Sequence, residues 1–317
     1  MAGSGIKVTD IAYARMGAPD LDVMERFLTD FGLIRTERTA NRVYMRGADP
    51  AHHIYVVEKS DPKLIGFAFY ARDEDDLLRA ADLPGASAVE AIDEPGGGRR
   101  VRLKEPNGYQ IEVVHGIEPV TPIALQPQPI NTATEPLKRK GVLCRLPEGH
   151  SRVKRIGHGV IGTDSMQKTT RWFRETLGLI CSDDVYAGQE DNIIASFNRC
   201  DQGDSFVDHH TLACVNFGGQ VGLHHISFEV SDIDAVMSHH YYLKSLDRYE
   251  HRWGVGRHLA GSQVFDYWAD PWGRVHERWA DSDRLNAKSG SSLGPPERAL
   301  ISQWGEELPE AMARVSP

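Results

Sequence analysis

Three segments in the first half of the chain recur in the same order in the second half, and an internal duplication limits the possible folds more than any single motif. Asp10-Ile11-Ala12-Tyr13-Ala14-Arg15-Met16-Gly17, with helical spacing from Asp20 to Gly32, parallels Ile156-Gly157-His158 with helical spacing from Asp164 to Gly178. Leu64-Ile65-Gly66-Phe67-Ala68-Phe69, leading into Asp73-Glu74-Asp75-Asp76-Leu77-Leu78, parallels Leu223-His224-His225-Ile226-Ser227-Phe228, leading into Asp232-Ile233-Asp234-Ala235-Val236-Met237. Glu105-Pro106-Asn107-Gly108-Tyr109-Gln110-Ile111-Glu112 parallels Asp270-Pro271-Trp272-Gly273-Arg274-Val275-His276-Glu277. Two copies of one module follow, at residues 6 to 117 and 153 to 281. Each reads as a strand, a helix and three more strands, with a Pro-Xaa-Gly turn before the last.

The second copy carries His158, His225 and Glu277 at three matched positions, where the first has Tyr13, Gly66 and Glu112. Strand alternation puts Ile226, Phe228 and Val230 on one face and His225, Ser227 and Glu229 on the other, so His225 rather than His224 is the candidate. Val275, Glu277 and Trp279 likewise share the face opposite His276. A lone strand histidine is usually a hydrogen-bonded structural residue. Two imidazoles and a carboxylate at equivalent repeat positions are instead the ligand set of a facial triad, which grips a ferrous ion by three positions and leaves three open; manganese(II) suits the same set. Only the carboxylate survives in the first copy, so one metal is expected, in the second.

At 317 residues the chain can form two cores of ordinary size. A net charge of −9 argues against a nucleic-acid surface of the basic kind. No run of about 18 apolar residues is present to span a membrane, and the N-terminus lacks an apolar signal core; the expectation is a cytoplasmic protein with neither nucleic acid nor membrane as partner. Cys144, Cys181, Cys200 and Cys214 form no CxxC pair and are expected to be reduced. The expected organisation is a metal-free domain at 1–117, a linker at 118–150, a metal domain at 151–282 and a tail at 283–317. The linker is rich in proline and threonine and is expected to be extended and draped over a surface. The tail holds an amphipathic segment from Ala299 to Glu307, with Leu300, Ile301 and Trp304 on one side, expected to cover the metal domain or a neighbouring subunit.

Together these motifs resemble the two-domain type I extradiol ring-cleaving dioxygenases of the vicinal oxygen chelate superfamily, over roughly residues 6 to 281 and most densely in the second module. The resemblance implies an α+β fold of two tandem domains, each of paired β-α-β-β-β units forming a cup. Each module then contains a further, more diverged pair of units, with Ile193 to Phe197 and Thr211 to Val215 as strands. It implies iron(II) at His158, His225 and Glu277, and a homo-oligomer. It maps an acid-base histidine to His210, in Asp208-His209-His210-Thr211, fifteen positions before His225. His258, in Gly256-Arg257-His258, and Tyr267, in Phe265-Asp266-Tyr267-Trp268, match a supporting histidine and a tyrosine near the substrate. Leu259-Ala260-Gly261-Ser262, after His258, departs from the polar pair of some members.

The implied reaction is cleavage of a catechol-type aromatic ring by dioxygen, beside the two hydroxyls rather than between them. One carboxylate ligand leaves a ferrous ion with a formal charge of +1, which suits a catecholate monoanion bound through both oxygens, with one position left for dioxygen. A histidine, with an unperturbed pKa of about 6.5, can take a proton from the catechol and return it when the O–O bond breaks. His210 is the candidate for that step, with Tyr267 on a substrate oxygen and His258 in support. An apolar pocket containing Trp253, Phe265, Trp268 and Trp272 is expected. The same superfamily offers two other readings, a glyoxalase-like isomerase that needs no oxygen and a metal-free small-molecule-binding protein. The intact ligand set argues against the second, which gains nothing from converging ligands.

Overall fold

The computed structural model describes residues 5–127, 129–146, 149–298 and 300–316. The first module runs β1 (Val8–Ala18), α1 (Leu21–Asp30), β2 (Ile34–Arg38), β3 (Arg42–Arg46), β4 (Tyr55–Lys59), then β5 (Lys63–Ala71), α2 (Glu74–Ala80), β6 (Glu90–Ala91), β7 (Arg99–Lys104), β8 (Gln110–His115). The second runs β9 (Arg155–Gly162), α3 (Met166–Leu177), β10 (Leu179–Tyr186), β11 (Ile193–Cys200), β12 (Val207–Asp208), β13 (Leu212–Val215), then β14 (Gly222–Glu229), α4 (Ile233–Leu246), β15 (His251–His258), β16 (Val264–Ala269), β17 (Val275–Ala280). The short strands β18 (Arg284–Leu285), β19 (Ser292–Gly294) and β20 (Ser302–Trp304) follow in the tail.

Sheet order makes the deeper duplication plain. The first sheet is ordered β2-β3-β4-β1-β5-β8-β7-β6, and the second repeats that plan as β10-β11-β13-β9-β14-β17-β16-β15, with β19 and β20 added at its edges. In each sheet two units meet through antiparallel first strands, β1 with β5 and β9 with β14. Each unit closes with its last strand parallel to its first. Parallel closure needs a long crossover, which begins with the helix. Among the described residues the four α-helices each start on a side-chain cap that accepts backbone N–H bonds, at Asp20, Asp73, Ser165 and Asp232; each such cap is worth about 1 kcal/mol.

One face of each sheet packs against helices and the other domain in a continuous core. There Phe27 of α1 and Phe31, the residue that caps its C-terminus, meet the ring of His276 from β17, whose Nε2 lies 2.9 Å from the Tyr55 hydroxyl of the first domain. Fully burying a phenylalanine contributes roughly 1.5–3 kcal/mol, so these contacts hold the two sheets as one body. The opposite face of each sheet is a cup.

The linker follows the first domain only at its start, where Val120 N–H donates to Pro50 O and Ile123 N–H to Ala48 O. Leu137, Val142 and Leu143 beyond it are exposed. The tail covers the second domain: β20 extends the sheet beside β15, and Ser316 pairs with Leu223. Its amphipathic segment is not a helical face. Ala299 lies outside the described residues, and Leu300 turns toward the second cup, whereas Ile301 and Trp304 are 46% and 48% exposed. Strand pairing, not a 3.6-residue period, orients this stretch. No helix among the described residues is long and apolar enough to cross a membrane.

Candidate metal centre

Strand register assembles the site. His158 on β9 lies opposite Ser227 on β14, and Ser227 lies opposite Glu277 on β17, so the three form a row across three strands. His225 sits two residues from Ser227 on the same face. Ser227 is the short member of the row, and its hydroxyl donates to Glu277 Oε2, letting the longer side chains on either side lean together above it. Glycines on both sides of His158 permit close packing behind it. A Cβ on Gly159 would lie 2.4 Å from the Phe67 ring of the first domain, and one on Gly157 would lie 2.7 Å from Trp279.

His158 Nε2 stands 3.1 Å from Glu277 Oε2 and 3.3 Å from His225 Nε2, and His225 Nε2 stands 3.6 Å from Glu277 Oε2. An octahedral ion with bonds of about 2.1 Å separates neighbouring donors by about 3.0 Å, so this triangle has the size of one octahedral face. His158 Nδ1 is buried without a hydrogen-bond partner, and Glu277 Oε1 has His258 Nε2 near it, at 3.4 Å. Burial would raise the Glu277 carboxyl, yet hydrogen bonds from His158 and His258 hold it well below the usual carboxylate range. Burial pushes His225 well below the ordinary histidine value, with the adjacent His224 adding to the effect. Two imidazole nitrogens and a carboxylate oxygen thus converge at spacings that fit a divalent ion.

The other sequence candidates surround this triangle. The His210 ring is centred 4.0 Å from that of His158, and its Nδ1 lies 3.0 Å from His209 Nδ1. It sits in the short connection between β12 and β13 rather than on a strand. Tyr267, opposite Glu277 in register, packs its ring 5.2 Å from that of His225 and places its hydroxyl 2.8 Å from His258 Nε2. Burial, then the Glu277 charge, pushes the Tyr267 phenol well above its ordinary value.

A cavity of about 100 Å³ opens beside the triangle. Of the four aromatics expected there, only Trp253 lines it. Phe265 supports from behind, stacked 3.9 Å from His258. Trp268 points to the opposite face, as its place next to Tyr267 requires, and donates to Asp266. Trp272 lies in the turn before β17, under the Arg274 guanidinium. The apolar wall comes instead from Phe197, Phe217 and Ile194, with Leu300, Leu308 and Met312 of the tail. His224, set aside in the sequence, also lines the cavity, and its Nε2 lies 2.8 Å from Met312 O.

No family model matches the chain. Metapyrocatechase 2 from Cupriavidus necator is 30% identical over 311 residues, 97% of this chain and 92% of that protein. The chain belongs to the extradiol ring-cleaving dioxygenases. Solved structures share the fold of this dioxygenase across its whole length. A Mn(II)-bound glyoxalase from Novosphingobium aromaticivorans covers 98% of this chain and 95% of its own, with TM-score 0.78 and 23% identity. Homoprotocatechuate 2,3-dioxygenase from Brevibacterium fuscum, in complex with 3,4-dihydroxyphenylacetate, covers 100% and 95%, with TM-score 0.78 and 19% identity. The two sheets are thus the tandem cups of the vicinal oxygen chelate fold.

Proposed function

We propose that this dioxygenase opens uncharged catechols beside their hydroxyl pair, with one iron(II), or manganese(II) in its place, held by His158, His225 and Glu277, and no metal in the first cup. The observation that carries the reading is the convergence of those three donors beside an apolar cavity, in a chain 30% identical to a metapyrocatechase. Bound there, the ion would supply Lewis acidity toward the catechol oxygens and a path for electrons to dioxygen.

His210 is assigned the proton transfers. Its Nδ1 is engaged by His209, which leaves Nε2 to take a proton from the catechol and return it as the ring opens. Tyr267 and His258, joined at 2.8 Å, hydrogen-bond a substrate oxygen as a pair. Leu300, Leu308 and Met312 exclude water over the cavity. Among the described residues no lysine or arginine lines it, so a ring carboxylate would be buried unpaired, which costs several kcal/mol. Alkyl or aryl substituents suit the Phe197 and Phe217 wall instead.

The four free cysteines fit the reducing cytoplasm. The half-exposed Ile301 and Trp304 favour a homo-oligomer, and a monomer mass by light scattering would contradict that part.

The test is oxygen uptake by anaerobically iron-loaded enzyme given 3-methylcatechol, 2,3-dihydroxybiphenyl or 3,4-dihydroxyphenylacetate. One dioxygen consumed per catechol, a yellow product and preference for the first two are expected. No uptake with any catechol would overturn the activity. Preference for the carboxylated substrate would overturn only the substrate class.

A further inference from the structure

Away from the cup, α4, β15 and β16 bring three more donors together. His240 Nδ1 lies 3.1 Å, and His251 Nε2 2.8 Å, from the same oxygen of Asp266, Oδ1. All three donor atoms lie within 4.8 Å of one another. The two imidazole rings stand nearly perpendicular, with centroids 4.9 Å apart, so they approach from different directions.

Asp266 is fully buried at 0% exposure, and among the described residues its only ionisable partners within salt-bridge distance are these two histidines. Arg278, its neighbour across β17, turns its guanidinium away to Phe31 O and Ser151. A buried carboxylate with no lysine or arginine partner calls for a positive charge at the two imidazoles. The remaining oxygen of Asp266 accepts the Trp268 indole N–H at 2.6 Å, the outer-shell bond that fixes a ligating carboxylate. His240 and His251 are only partly buried, which leaves an entry path and places for water.

We propose that His240, His251 and Asp266 form a second divalent metal site, of the borderline transition-metal class typified by zinc(II), completed by solvent. Imidazole and carboxylate are the ligands that class takes. A tetrahedral site with bonds of about 2.0 Å has donors about 3.3 Å apart, near the 3.1 and 2.8 Å that separate Asp266 Oδ1 from the two ring nitrogens. An ion there clamps α4 to β15 and β16, the strands that carry His258 and Tyr267. Asp266 faces away from the cup, so the clamp is separate from the chemistry.

The test counts metal. Iron-loaded enzyme is equilibrated with zinc(II), desalted and assayed for total iron plus zinc per chain, a sum that registers sites even where zinc displaces iron. Wild type is expected to hold two ions and the His240→Gln/His251→Gln double variant one, with zinc raising the melting temperature of wild type only. His251→Gln alone, at the more exposed ligand, keeps the comparison available if the double variant folds poorly. Equal totals in wild type and variant would overturn the site and leave Asp266 balanced by a proton on an imidazole. Because the readout is the difference between proteins, failure of the triad at His158, His225 and Glu277 would lower both totals together and is told apart.

Discussion

The two cups have the same strand register and neutralise the same buried carboxylate differently. Tyr13 faces Ala68, and Ala68 faces Glu112, as His158 faces Ser227 and Ser227 faces Glu277. Arg15 faces Gly66 where Val160 faces His225. In the first cup the Tyr13 hydroxyl donates to Glu112, while Arg15 Nε and Arg100 NH1 stand 3.5 and 3.6 Å from its oxygens. A side chain at position 66 is sterically barred, since a Cβ there would fall 1.7 Å from Gln110 O. The first cup therefore supplies its positive charge from within the chain and closes. The second, with no lysine or arginine in its lining among the described residues, brings together three donors that could hold an external cation.

The comparison breaks most visibly if the wrong cup proves essential. His225→Ala should abolish iron retention and ring cleavage together, whereas Glu112→Gln should keep both at wild-type level, as read by metal analysis and oxygen uptake. Next in size, His210→Gln should retain near-normal iron and bind catechol without oxygen, yet turn over about 10²–10⁴-fold more slowly. Loss of iron in that variant would make His210 a ligand. Arg15→Met leaves Glu94 and Glu112 short of a partner and should lower stability by about 3–5 kcal/mol in denaturant titration, with metal content per folded chain unchanged.

The contrast also sharpens through pH. His53, packed 4.8 Å from Tyr13 in the first cup, is lowered to about 3, by burial first and then by His52. Folded protein keeps it neutral while unfolded chain protonates it near 6.5, so its contribution is complete above that pH and is lost as pH falls toward about 3. The loss is at most about 1.4 kcal/mol per pH unit. A conservative His53→Asn variant should show a shallower decline of stability across that window, and an unchanged slope would refute the burial argument.

Much of this was legible in the chain, for reasons that differ by residue. The domain duplication shows because the turns at Pro106 and Pro271, with Gly108 and Gly273 at positive φ, constrain side chains as well as backbone. The duplication inside each domain is faint, because β1 to β4 and β5 to β8 share hydrogen-bond topology and little else. Alternation turns His225 and Glu277 away from His224 and His276, and strand register sets Tyr267 opposite Glu277. The same rule places Trp268, next to Tyr267, on the other face and outside the cavity. Leu308 and Met312 carried no signal, since the tail has no periodicity and reaches the cup only through tertiary packing. His210 was placed by motif although its short connection lacks strand pattern.

The most direct test of the account is anomalous diffraction at the iron edge from crystals of enzyme loaded anaerobically with one equivalent of iron(II). The account predicts a single peak within bonding distance of His158 Nε2, His225 Nε2 and Glu277, and none between Tyr13, Arg15 and Glu112. A peak in the first cup, or none at the triad, would contradict it.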